Sequence, residues 1–133
     1  MTLYHYTALE HAPSIRSVGI SVGGIAMWNG QFIRGAQWLT DEDNWRQPWA
    51  SRKTIHCDRM ECRLEVRIPK PFLSKLWHWP VLAKRIGWPD DAIEELNHQG
   101  GGAHEHWYVY QGVIPHHWLR EFAERPATLW APA

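Results

Sequence analysis

Three stretches of this chain carry side chains able to do chemistry. In LYHYT, residues 3–7, His5 stands between two tyrosines at the end of a short apolar run. A histidine there either hydrogen-bonds a ligand hydroxyl or packs as a satisfied strand residue. Thr7-Ala8-Leu9-Glu10 fits a capping box, which predicts a helix opening at Thr7 and backbone N–H groups near Tyr6 and Thr7 that suit an anion or an amide. In AHEHWYVY, residues 103–110, Glu105 precedes an aromatic run. A carboxylate shielded by Trp107 or Tyr108 stabilises a developing positive charge or orients a hydroxyl; its plain alternative is an exposed acid at a strand start. In RQPWASRKTIHCDR, residues 46–59, Arg46, Arg52, Lys53 and Arg59 surround Trp49 and follow Trp45. That composition suits a loop that contacts a phosphate backbone, or an ordinary solvated loop.

Metal chemistry has weaker footing. On a strand, His104 and His106 share a face only two residues apart, and Cys57 and Cys62 are spaced C-x4-C, wider than the CxxC of a closed zinc site. No metal is expected. The chain also lacks H-E-x-x-H, a P-loop, G-x-G-x-x-G and G-x-S-x-G, so the phosphate and nucleophile signatures of those enzyme classes are missing.

Fourteen Lys plus Arg balance fourteen Asp plus Glu, so no global field draws in nucleic acid or an anionic membrane. The 133 residues suit a single domain, 1–133, with one compact core. The start in a strand-like segment and the lack of a long apolar run predict a soluble, cytoplasmic protein with no membrane partner and with Cys57 and Cys62 reduced. Ten tryptophans, many beside polar neighbours, suit either an aromatic core or a cleft that grips a ring.

The elements that must position these groups follow from patterning. Residues 2–6 read as a strand, followed by a helix from Thr7 with Leu9, Ile15 and Val18 inward, Pro13 in its first turn and Gly19 at its end. Glycines break residues 21–34 into a loop or short irregular strands before the segment 36–40. TDEDNW opens a short helix, and residues 46–59 form a long loop. Glu61 to Ile68 alternates, with Cys62, Leu64, Val66 and Ile68 on one face, the clearest strand signal in the chain. A helical piece near 81–86, a helix over 89–96, a break at QGGGA, a strand over 106–111, a turn over 112–115 and a last helix over 115–124 complete the series. Trp118, Leu119 and Phe122 face inward from that last helix. Strands and helices mix without regular βαβ alternation, which predicts an α+β fold.

Taken in order, LYHYT with a helix ending SIRSVGI, QWLTDED after a glycine-rich loop, and WYVYQGVIPHHW resemble small members of the ADP-ribosyltransferase-like superfamily. The nearest echo is with bacterial and phage toxin-type members, including DarT-like DNA-modifying enzymes. The resemblance implies two small, mostly antiparallel β-sheets with flanking short helices and a cleft between them for NAD, the substrate, whose bond to nicotinamide breaks through an oxocarbenium-like transition state. It implies that His5 hydrogen-bonds the nicotinamide-side ribose and that the Tyr6 backbone grips the carboxamide. Thr7 would cap the helix at the cleft floor, and Trp38 and Thr40 would form the second motif, with Trp38 stacked on nicotinamide. The family acid stands about where this chain has Trp107, so Glu105 would serve from two residues earlier on the same strand face. The implied activity is NAD-dependent mono-ADP-ribosyl transfer to a macromolecule, a protein side chain or a nucleobase, as a toxin or phage effector. The asparagine and arginine-rich elements of the DarT-like enzymes are not evident here, which argues against DNA as the acceptor. Two alternatives remain: a non-catalytic binding protein on the same fold, and an RNA 2′-phosphotransferase drawing its basic residues from 46–59.

Overall fold

The computed structural model describes residues 2–26, 29–43, 45, 61–99 and 103–126. Over these the chain is an α+β protein built on a six-stranded antiparallel sheet. Its strands are β1 (Thr2–Thr7), β4 (Ala36–Thr40), β5 (Cys62–Arg67), β6 (Leu76–His78), β7 (Trp107–Gln111) and β8 (Leu119–Glu124), in the order β6-β7-β4-β1-β5-β8. A separate hairpin pairs β2 (Gly24–Ala26) with β3 (Phe32–Arg34). The helices are α1 (Ala12–Val18), α2 (Trp79–Arg85) and α3 (Asp90–Gln99). Among the described residues no helix is long and apolar enough to cross a membrane.

Both faces of the sheet are covered. On one, Ala36 and Val109 from the strands meet Ile25 of the hairpin, Trp79, Leu82 and Ala83 of α2 and Ile93 of α3, with Trp107 alongside. On the other, Leu3, Leu39, Val66 and Tyr110 meet Ile20, Ile114 and Trp118. Most of the described tryptophans go to the first face: Trp38, Trp77 and Trp88 pack against that core beside buried Trp79 and Trp107. Of the two roles open to the indoles, packing takes these five. Gly19 ends α1 with φ 90°, and a Cβ there would run into the Ile114 carbonyl oxygen, so the residue must be glycine for Ile20 to bridge Ile114.

Several expectations from the sequence change. Thr7 is not a helix cap: β1 runs through it opposite Cys62, and no side-chain cap bond forms at the helical entrance. The chain leaves Ala8 in an extended conformation, makes a 3-10 turn at Leu9–His11 and only then enters α1. Glu61 performs the capping instead, accepting the Leu9 N–H at 3.3 Å from the neighbouring strand's approach. Ile15 packs inward, but Val18 is exposed. Residues 41–43 turn without becoming helical.

The last element differs most: residues 119–124 are strand, preceded by a 3-10 turn at His116–Trp118. Leu119 pairs with Val66 and Phe122 with Leu64, so three steps on β8 match two on β5, and the register shifts between them. That irregularity absorbs one residue and lets a helical spacing of apolar side chains face one side of a sheet. The open edge of β5, with its buried Leu64 and Val66, supplies the pairing that overrides the helical pattern. The basic loop 46–59, including Arg46, Trp49, Arg52, Lys53, Cys57 and Arg59, lies outside the described residues, as do residues 100–102.

Candidate active site

The three segments that carry the resemblance contribute the neighbouring strands β7-β4-β1, with β4 in the middle. Thr40 is the common point, opposite Tyr4 on one side and Trp107 on the other. A local sequence pattern does not give this adjacency, because the segments are brought together by pairings across the whole chain.

The two edges of β4 behave differently. With β7 it registers from Ala36 opposite Gln111 to Thr40 opposite Trp107, and the Asp41 N–H still reaches the His106 carbonyl at 3.1 Å. Because backbone groups alternate sides along an antiparallel strand, the amides of Trp38 and Thr40 then point at β1. There the strands register at Tyr4 opposite Thr40, while β1 pairs with β5 along its whole length, Thr2 to Thr7. Two residues on, where Tyr6 would pair with Trp38, the ladder does not continue. The Trp38 carbonyl instead accepts a bond from Nδ1 of half-buried His5 at 3.1 Å. A carbonyl only accepts, so Nδ1 carries the hydrogen, and in the neutral ring Nε2 is the acceptor. This seam is the candidate cleft floor.

His5 and Trp38 do not converge as side chains. Residues directly opposite across a ladder share a face, so His5 lies with Leu3 and Leu64, whereas Trp38 lies with Tyr4 and Tyr6 on the other. The Trp38 ring packs 4.7 Å from Trp79 and 6.1 Å from Trp107, and its Nε1–H bonds the Gly24 carbonyl at 2.9 Å. It is a wall of the aromatic core with its polar handle already engaged.

Tyr6 and Thr40, both buried, meet around Glu42. The Tyr6 hydroxyl donates to the Glu42 carbonyl at 3.0 Å, and the Glu42 N–H donates to Thr40 Oγ1 at 3.2 Å. Burial pushes the Tyr6 pKa up to about 12 against the opposing influence of Arg63, so the hydroxyl stays a donor at any physiological pH. Arg63 lies 5.1 Å over the Tyr4 ring and 5.0 Å over Trp45, and donates to the Asp43 carbonyl at 2.9 Å. Thr7 is a buried strand residue whose carbonyl accepts a bond from the Cys62 thiol at 3.3 Å, and burial raises that thiol to about 11.

Glu105 is not on β7. It occupies a 3-10 turn, Ala103–His106, with an exposed side chain, so it does not share the strand face expected of it. Its carbonyl accepts a 2.6 Å bond from His78 Nε2. The ordered acid-base pair is next to it: His106 Nδ1 lies 2.7 Å from Asp41 Oδ1, and His106 Nε2 lies 3.9 Å from Glu42 Oε1. The Asp41 hydrogen bond raises the His106 pKa above its ordinary value against desolvation, and the charges of Glu42, Asp41 and Glu105 add smaller upward effects. His104 moves the other way, lowered by desolvation, with its Nδ1 buried and without a hydrogen-bond partner. Asp41, Glu42 and His106 are the candidate residues that sequence reasoning missed. Their signal was present: TDED closes the second segment and HEH directly precedes the third, and antiparallel pairing sets the end of one strand beside the start of the next. Among the described residues no three His, Cys, Asp or Glu side chains are grouped to hold a metal ion.

No protein-family model matches this chain, and no curated protein or solved structure is similar to it.

Proposed function

We propose that the chain is an NAD-dependent mono-ADP-ribosyltransferase with an ADP-ribosyltransferase-like fold, serving as a toxin or phage effector in the cytoplasm. The observation that carries this reading is the seam: the three resemblance segments lie on adjacent strands, and the ladder between the first two gives out where His5 meets the Trp38 carbonyl. Breaking the bond between ribose and nicotinamide builds positive charge on the sugar ring, so the site needs groups that orient ribose hydroxyls within a negative field. His5 Nε2 suits a ribose hydroxyl. The Tyr6 backbone, facing β4 where pairing lapses, suits the carboxamide. Thr40 acts through Glu42, and the carboxylates of Asp41, Glu42 and Glu105 supply the field. In this arrangement Trp38 walls the cleft instead of stacking on the ligand.

Calorimetry and indole fluorescence with NAD, on wild type and His5→Ala, test the reading, together with transfer of labelled ADP-ribose to a lysate. Saturable NAD binding that His5→Ala weakens at least about tenfold is the expected result. No binding by wild type at millimolar NAD sinks the proposal. The engaged Trp38 ring and the exposed Glu105 favour a second reading, a non-catalytic binding protein on the same fold. That protein would capture its partner equally well with His5→Ala.

A further inference from the structure

We propose that His106 is the proton acceptor of the transfer step, positioned by Asp41, an assignment that rests on the transferase reading above. The transfer needs a group to take the proton of the incoming nucleophile; Glu105 lies off the β7 face expected of it, whereas its neighbour His106, on the same turn, is oriented by a carboxylate. The Asp41–His106 pair is fixed twice, by the 2.7 Å side-chain bond and by the Asp41 N–H to the His106 carbonyl at 3.1 Å. A carboxylate that accepts the Nδ1–H sets the tautomer and leaves Nε2 with the lone pair. Glu42 stands 3.9 Å from Nε2, too far to consume it as a hydrogen-bond acceptor, and close enough to stabilise the imidazolium once the proton arrives. Glu42 itself is held by Tyr6 and Thr40. The His106 and Asp41 side chains are 48% and 36% exposed, so a macromolecular nucleophile can reach them. Asp41 follows Trp38 by three residues, about 10 Å along an extended chain, which puts the pair at one end of the seam.

In this step the acceptor's N–H or O–H bond breaks and its electron pair forms the bond to the ribose carbon. The bond from that carbon to nicotinamide breaks, its electrons leaving with nicotinamide, which departs neutral. The proton passes to His106 Nε2, and Asp41 balances the charge. The groups facing His106 are Asp41 and Glu42 after β4 and Glu105 on its own turn; His78 of β6 bonds the Glu105 carbonyl.

The test uses the full chain, with NAD as ligand and water as acceptor, on wild type, His106→Gln and Asp41→Asn. It measures NAD affinity, nicotinamide release against pH and the NMR titration of the His106 ring. NAD affinity is expected to change less than about threefold in both variants, while His106→Gln slows release about a hundredfold or more, the scale of a lost general base. The acid limb of the wild-type rate profile tracks the NMR titration, and both move to lower pH in Asp41→Asn. Failure of wild type to bind NAD overturns the transferase reading. Binding with no nicotinamide release, undiminished release by His106→Gln, or an acid limb that stays put while the NMR titration moves overturns the base alone. An NMR titration that Asp41→Asn leaves unmoved overturns the pairing.

Discussion

Along its β7 edge β4 is continuous and buttressed by indoles; along its β1 edge it registers at Thr40 and then gives the Trp38 carbonyl to a histidine side chain. The first edge is stiff because the covering groups are large and dry. Trp79, the first residue of α2, is completely buried, with Trp38 4.7 Å and Trp88 5.4 Å away and Ile93 of α3 in the same core. The second edge is held by polar side chains that replace backbone pairing: His5 on Trp38, Tyr6 on Glu42, Arg63 on Asp43. Rigid packing beside a lapse in backbone pairing gives a fixed wall next to an addressable seam. On the proposed reading, stability and ligand recognition fall to opposite edges of one strand, and substitutions should separate them.

The largest effect is expected at the stiff edge. Trp79→Ala removes a fully buried indole and should cost about 3–5 kcal/mol, read as a fall in the urea midpoint with unchanged slope. Trp79→Phe sharpens the point. The Trp79 Nε1–H is buried without a hydrogen-bond partner, so phenylalanine trades some packing for relief of an unsatisfied donor. Its cost should be less than half that of alanine. Equal costs would mean that the indole's shape, and not its apolar area, sets the packing.

At the open edge the costs shrink and the functional consequence grows. Tyr6→Phe leaves the Glu42 carbonyl without its donor and should cost about 1–2 kcal/mol, with NAD affinity reduced only through the displaced loop. His5→Ala removes one half-buried hydrogen bond and should cost about 1 kcal/mol, while weakening NAD binding far more than Trp79→Phe does. A variant series in which affinity simply follows stability would erase the distinction between the two edges.

The sequence made some of this architecture legible and hid the rest for identifiable reasons. The alternation from Cys62 to Ile68 declared β5 because one face is buried and period two follows directly. The end of the chain misled because Leu119 and Phe122 stand at a helical spacing, which the register shift against β5 accommodates without a helix. Thr7 and Glu10 match a capping box, yet pairing of Thr7 with Cys62 keeps the residue in the strand and passes the capping task to Glu61, distant in sequence. His5, Tyr6, Trp38 and Thr40 were visible by type. That Tyr6 and Thr40 grip Glu42, and that Trp38 contributes a carbonyl and a wall, depends on strand register and face, which no local pattern encodes. The Asp41–His106 pair was hidden for the same reason, each half lying at the end of a different strand.

That pair also supplies the smallest effect, and it is resolvable by its sign. The folded pKa of His106 is raised, so its contribution to stability is complete below the unfolded value, about 6.5, and is lost as pH rises through the folded value. His104, two residues earlier, has a lowered folded pKa, so its contribution is complete above the unfolded value and is lost as pH falls through the folded one. The two oppose each other in wild type, so between about pH 5 and pH 8 each offsets part of the other's pH dependence. His106→Gln removes one side of the balance. Denaturant midpoints across that range should then fall on the acid side by an amount within about 1 kcal/mol, the scale of an exposed ion pair. In wild type, added salt should reproduce part of the same acid-side loss by screening Asp41 from His106, whereas the variant's profile should be nearly insensitive to salt. An acid-side profile that His106→Gln leaves unchanged would mean that the solvent already screens the pair completely. The only cost left for its proton to report would then be the burial of His104.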